Sequence, residues 1–367
     1  MTDKWTAILG VALGAGIAII GLADPALRGN DAPKPTKATL FNGHWADGFS
    51  KAFDKQLWIR EGAVNGWTAV SYGLFHEGRD GVLAGSHDWL YSKEEFDSPR
   101  AATAVADTVA EVKAARAALD ARGIKLIVAI VPAKSRIYGE NLGHYHWPSP
   151  LQPMYQDLVT SISATGTPVV DLRGTLTGVK AKELAYFRTD THWTPAGASA
   201  AAATIAAAIK DANMLTAKPE ASPLDVSPGV AKPYEGDLLT FIPLGPFRGL
   251  GPKAETIAEP VFTHAEAPAG AGDSGDGLFG DASTPVVLVG TSYSADERWG
   301  FANDLEHELG VGLANAAEKG EGPFTPMHKL LTGTTLAEAQ PELVIWEIPE
   351  RYTWMSAASP AGSAAKP

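Results

Sequence analysis

"VVLVGTSYSADERWG", residues 286–300, decides the fold. Four β-branched or aliphatic residues make a buried strand, and the chain then turns at Gly290 into a helical pattern. Ser294-Ala295-Asp296-Glu297 has the S-x-x-E spacing of a capping box, so Ser294 is predicted as the N-cap of a helix running to about Leu309. Ser292 is left at the strand end, facing the N-terminus of that helix. Free backbone N–H groups and the helix dipole there stabilise a developing oxyanion. The stretch alone leaves two readings of Ser292 open, a nucleophile or an ordinary turn serine.

Working outward, "IKLIVAIVP" (124–132), "PVVDL" (168–172) and "ELVIWEIP" (342–349) repeat the same apolar pattern, with helical stretches between them. Strands of this kind belong to the middle of a mostly parallel sheet covered by helices on both faces. Such sheets place their sites along the carboxyl ends of the strands. Lys134, Arg136, Asp171, Arg173, Ser292, Glu350 and Arg351 all follow those ends. Elsewhere, "GVLAGSHDWLYS" alternates about a Gly-Ser-His-Asp turn and predicts a hairpin. An Ala-rich helix is expected from Ser98 to about Arg122, ended by Gly123. Residues 24–40 read as a linker, 41–80 as aromatic-rich helical segments, 264–283 as a mobile Gly/Ala/Asp-rich insertion, and 357–367 as a disordered tail.

Composition narrows the chemistry. The 367 residues include no cysteine, which excludes disulfides, thiolate catalysis and cysteine zinc sites. A formal charge of -12 argues against a nucleic-acid partner and leans toward a neutral glycan over a polyanion. At the N-terminus, Lys4 precedes about 18 uncharged residues, Thr6 to Ala23, the length of a membrane anchor or a long signal-peptide core. Residues 1–23 are therefore expected to be an anchor or signal peptide on an exported domain that spans residues 41–356.

A base for Ser292 comes from "FRTDTHWTPAGASAAAATIAAAIK", residues 187–210. Thr194-Pro195 reads as N-cap and first helical residue, so Asp190-Thr191-His192 lies in the loop before the helix. In an extended loop, residues two apart point the same way, so Asp190 and His192 can face one site. An acid beside a histidine, in a chain with a candidate serine, favours nucleophilic catalysis over a structural histidine.

"DTHWTPAGA", "VGTSYS", "GVLAGSHDWLYSKEEF" and "VPAKSRIY" together resemble the alginate O-acetyltransferase family (AlgJ/AlgX type), over most of the chain from Phe41 to Tyr352. The resemblance implies an SGNH-hydrolase-like three-layer α/β/α fold in which the D-x-H-W pair precedes the serine, a circularly permuted motif order. It implies Asp190, His192 and Ser292 as a triad that needs no metal or organic cofactor. It also implies a periplasmic face, a polysaccharide acceptor, a membrane-bound acyltransferase partner that supplies acetyl groups, and neighbours in an exopolysaccharide export complex.

Further site residues follow from that resemblance. "LANAAEKGEGPF" is similar to the second SGNH block, with Asn315 and an oxyanion-hole glycine, Gly320. "PELVIWEIPERY" departs from the third block, because Pro349-Glu350-Arg351 replaces Gly-x-Asn-Asp and the usual Asn donor is missing. Arg351 is a candidate donor or substrate-binding cation, or one half of an ion pair with Glu350. Tyr293 and Lys134 complete the set of substrate or oxyanion candidates, with packing of the "VPAK" turn the competing role for Lys134. Trp193, Trp346 and Trp354 suit either a sugar platform or the core. His144-Tyr145-His146 lacks an evident third metal ligand and reads as a surface loop. The expected activity is transfer of an acetyl group through an acetyl-serine to hydroxyls of an exopolysaccharide. An acetylesterase with the same triad, and a non-catalytic export scaffold, remain as alternatives.

Overall fold

The structure is a computed structural model that describes residues 36, 60–96, 101–218, 224–264 and 284–353. The expected anchor and tail, and Trp354, lie outside the described residues, as do the linker apart from Thr36 and the insertion apart from His264. Two compact units are present, one comprising residues 1–75 and 243–251, the other 76–242 and 252–367. In the first, the described part is the helix Arg60–Phe75 and the short turn Gly245–Leu250. All described residues discussed below belong to the second.

That unit is built on five strands, β3 (Lys125–Val131), β4 (Val169–Asp171), β7 (Val286–Val289), β8 (Leu313–Asn315) and β9 (Leu343–Pro349). They form a parallel sheet in the order β4-β3-β9-β7-β8. Strand β9 comes last in the chain but sits at the centre, between β3 and β7. Alternation of side chains across the sheet produces two cores. Ile127, Ala129, Val286, Leu288, Leu343 and Ile345 face the small-residue surface of the helix Pro195–Asp211. Val128, Ile130, Val287, Val289, Val344 and Trp346 face the helices Ala101–Asp120 and Phe324–Thr332. The result is the expected three-layer α/β/α sandwich.

Most predicted elements are where the sequence put them. The hairpin is β1 (Val82–Ala84) paired with β2 (Leu90–Ser92), and the Ala-rich helix is Ala101–Asp120, followed by Gly123 at φ +72°. One feature was not foreseen. Strands β5 (Leu224–Tyr234) and β6 (Glu255–His264) form a separate two-stranded antiparallel arm. Prolines 228, 233 and 260 interrupt their patterns, and β5 is mostly exposed, so neither gives a period-2 apolar signal.

The expected helix after Ser292 is corrected. The chain makes one turn, Ser292–Ala295, then a 3-10 turn, Glu297–Trp299, and only then the helix Phe301–Leu309, with Gly300 left-handed between them. The N-cap of the first turn is Thr291, whose side chain accepts from the Tyr293 N–H, and not Ser294. Ser294 is buried and its hydroxyl donates to Glu347 at 3.0 Å. Among the described residues, no helix is long and apolar enough to cross a membrane.

Candidate active site

Ser292 stands just past the carboxyl end of β7, where sheet topology predicts a site. The loop carrying Asp190 and His192 is brought to it by the helix Pro195–Asp211, whose N-cap Thr194 accepts from the Gly197 N–H at 3.2 Å. His192 Nε2 lies 2.7 Å from Ser292 Oγ. On the far side of the ring, Nδ1 lies 2.7 Å from Asp190 Oδ1. A carboxylate only accepts, so Nδ1 carries the imidazole proton and Nε2 is left to accept from the serine hydroxyl. All three sequence-predicted residues therefore meet, with the ring between acid and hydroxyl.

Asp190 is 1% exposed, and every lone pair it needs to fill has a donor. Oδ1 also accepts the His192 N–H at 2.8 Å, while Oδ2 accepts the Asp237 N–H at 2.8 Å and the Tyr234 hydroxyl. Burial pushes the carboxyl up, but the His192 hydrogen bond and charge, with Tyr234 and Asp237, outweigh it. Together they hold Asp190 well below the usual carboxylate range. Burial and the Asp190 charge push the Tyr234 phenol up, which keeps it a donor.

The arm and the 134–138 segment grip this loop from several sides. Glu255, at the start of β6, accepts from the Arg188 and Thr189 N–H groups at 2.9 and 2.8 Å and from the Thr189 hydroxyl at 2.5 Å. Asp237 accepts from the Thr191 N–H at 2.8 Å and its hydroxyl at 2.5 Å. Lys134 is 0% exposed and its ammonium donates to the carbonyls of Phe187, Arg188 and Asp190 at 3.0, 3.0 and 2.7 Å. Its three protons are thereby used on backbone, which makes it a brace of the acid loop rather than a group facing substrate. Tyr234, Asp237 and Glu255 carried no signal in the sequence, because the turns that deliver them are distant in the chain and irregular.

The remaining candidates divide. Tyr293 is buried; its hydroxyl donates to the Thr191 carbonyl at 2.8 Å, and its ring lies 5.0 Å from that of His192. It joins the serine turn to the acid loop. Asn315 Nδ2 donates to the Ser294 carbonyl at 2.8 Å and its Oδ1 accepts from the Ala317 N–H at 3.1 Å, so it braces the serine turn. Gly320, at φ +78°, lies in a segment seated on the strand end by the Ala316 N–H on Leu288 O and the Glu318 N–H on Gly290 O. Trp193 and Trp346 are wholly buried in the two cores, so neither is a sugar platform. Trp299, which the sequence did not single out, stacks on His192 with ring centroids 5.4 Å apart.

An ion pair between Glu350 and Arg351 is corrected too. Glu350 instead takes the Arg136 guanidinium, with Nε at 2.9 and 3.1 Å, and accepts the Ala133 N–H at 3.0 Å. Arg351 is 3% exposed, 5.3 Å from the Tyr293 ring centroid and 4.4 Å from that of Tyr352. Its Nε and Nη1 have no hydrogen-bond partner among the described residues. Asp190, His192 and Asp237 are close enough to hold a cation in principle. The hydrogen bonds above already occupy both carboxylates, however, and suit proton transfer better than ligation.

Comparison with known proteins shows the family and the fold. Residues 82–350 match a family described as an SGNH hydrolase-like domain, acetyltransferase AlgX. The chain is 40% identical over 319 residues to a probable alginate O-acetylase AlgJ of Azotobacter vinelandii, covering 86% of this chain and 81% of that one. It is 38% identical over 321 residues to the Pseudomonas aeruginosa protein of the same name, covering 86% and 82%. The solved O-acetyltransferase domain of Pseudomonas putida AlgJ superposes with a TM-score of 0.68 at 34% identity, covering 79% of this chain and 96% of that one.

Proposed function

This chain belongs to the AlgX-type family of SGNH-hydrolase-like acetyltransferases and is an O-acetyltransferase, and from that premise we propose that Ser292, His192 and Asp190 carry the transfer. The observation behind this reading is the continuous chain of contacts from Asp190 through the His192 ring to Ser292 Oγ, 2.7 Å on each side of the ring.

His192 takes the hydroxyl proton as Oγ attacks the carbonyl carbon of an acetyl ester. The donor's C–O bond breaks, the leaving oxygen receives that proton, and acetyl-Ser292 remains. An acceptor hydroxyl then gives its proton to His192 and attacks the acetyl carbon, and the Ser292 Oγ–acetyl bond breaks as His192 hands that proton to Oγ. Asp190 keeps the ring in the tautomer both halves need and supports the imidazolium formed in each. The Ala316, Ala317 and Glu318 N–H groups are spent on Leu288 O, Asn315 Oδ1 and Gly290 O, so the oxyanion stabilisers in this reading are the Ser292 N–H and the buried Arg351 cation beside Tyr293.

The acceptor we propose is a hydroxyl of alginate or a similar exopolysaccharide, reached in the periplasm, with residues 6–23 as the inner-membrane attachment and a membrane-bound acyltransferase as acetyl source. Relatives named for alginate act on a polyanion, against the lean of the -12 net charge. Net charge is a property of the whole surface, whereas acceptor binding depends on the local field of a groove. The assembled triad favours an enzyme over an export scaffold.

The deciding experiment incubates purified protein with p-nitrophenyl acetate and either uronate or neutral glucan oligosaccharides, with products read by mass. Acetylated uronate oligomers, absent with Ser292→Ala, are expected. Release of acetate to water with no acetylated sugar would make the enzyme an esterase.

A further inference from the structure

Strand β9 carries one charged residue, Glu347, inside the apolar run "LVIWEIP". Its side chain is wholly buried at the centre of the sheet, and among the described residues it meets no cation within ion-pair distance. The parallel register sets Val289 beside Trp346, so the next step along β7 brings Gly290 and Thr291 level with Glu347. Its Oε2 accepts the Thr291 N–H at 2.7 Å and the Ser294 hydroxyl at 3.0 Å, and the Thr291 hydroxyl lies 3.1 and 3.2 Å from its two oxygens.

These donors bracket Ser292 on both sides. Gly290 is part of the same device, because a Cβ there would lie 2.4 Å from Glu347 Oε2. The closeness of the carboxylate thus explains the glycine, the threonine and the second serine of G-T-S-Y-S together. An acid at this depth with hydrogen-bond donors but no cation beside it is costly, and an apolar side chain of similar volume would suit the core better. Burial pushes the Glu347 carboxyl up to about 7, even though the Thr291 and Ser294 donors pull it down. A group kept against that cost points to a role at the site.

We propose that Glu347 is a positioning residue, which clamps the Thr291–Ser294 turn so that Ser292 Oγ is held in line with His192 Nε2. The proposal rests on Ser292 being the nucleophile. It assigns the second serine to the clamp and not to a helix cap.

The test compares Glu347→Gln, Ser294→Ala and their double variant with the intact protein. Each is titrated for reactive serine with a sulfonyl fluoride, so that kcat on p-nitrophenyl acetate is expressed per functional site, and melting temperatures are recorded. Glu347→Gln should lower kcat about 10- to 100-fold with KM nearly unchanged. An amide keeps one acceptor oxygen and puts an N–H donor in place of the other, so the Thr291 or Ser294 hydroxyl must rotate to accept where it now donates, which loosens the clamp. Ser294→Ala should lower kcat a few-fold, and the double variant should lose less than the product of the two, since both break one network. Normal kcat per titrated site in Glu347→Gln, whatever its melting temperature, would overturn the proposal by reducing Glu347 to a fold residue. Should Glu347→Gln fail to fold, an unaltered kcat in Ser294→Ala overturns it equally. Failure of the underlying reading looks different, with Ser292→Ala as active as the intact protein.

Discussion

The serine turn and the acid loop meet across 2.7 Å but are built by opposite means. Ser292 is placed by the sheet: β7 ends, the chain turns, and a carboxylate from neighbouring β9 ties the turn to the strand below it. The Asp190–His192 loop does not leave a strand end but runs between the helices Arg173–Lys180 and Pro195–Asp211. It is suspended between the arm's Glu255 and Tyr234, Asp237 of the turn Asp237–Phe241 that follows β5, and the buried ammonium of Lys134. A nucleophile at a parallel strand end inherits its position from the layer architecture. An acid–base pair on a loop has to be held by side chains, each of which can be removed separately.

Substitutions test that contrast. Ser292→Ala should abolish acetyl-enzyme formation and lower turnover on the order of 10³-fold or more, with the melting temperature unchanged. Turnover by this variant, measured with a small ester, would remove the serine half of the comparison altogether. Asp190→Asn should cost roughly 10²- to 10³-fold in kcat, because an amide can turn its N–H toward Nδ1 and favour the wrong tautomer. A loss of less than about 10-fold would mean that the other contacts of the loop hold the ring without it.

Arg351→Ala sharpens the serine side. Its guanidinium is buried beside Tyr293, and the role proposed for it is to stabilise charge that develops only in the transition state. A fall of about 10- to 100-fold in kcat on a small neutral ester, with KM little changed, is expected. If only KM for an anionic oligosaccharide rises, Arg351 binds the acceptor.

Tyr234→Phe is the mildest cut to the acid side. It removes one donor from Asp190 Oδ2 and leaves the Asp237 N–H, so a loss of about 3- to 10-fold in kcat is expected. An unaltered rate would show that the arm supports the loop without tuning it. The smallest effect concerns pH and stability. The Asp190 carboxyl is held below its unfolded value of about 3.9, so the stability it contributes is full above that value and lost as pH falls through the folded one. Denaturant midpoints measured between about pH 5 and 2 should therefore drop less steeply for Asp190→Asn than for the intact protein.

The sequence by itself determined the α/β class, the strand-end serine and the D-T-H loop at a helix start. These are written in local signals, namely apolar runs of strand length, a glycine exit and a Thr-Pro helix entry. Only the tertiary structure decided which residues tend the proposed triad. The S-x-x-E spacing at Ser294 is a true local pattern, yet its hydroxyl went to Glu347, 53 positions away, because β9 inserts beside β7. Glu350 likewise left its neighbour for Arg136, and Tyr234 reached Asp190 from an arm whose prolines conceal its strands. Periodicity reports how a segment meets solvent and core. It carries no record of which distant donor completes a buried carboxylate, and that pairing is set by strand order and register.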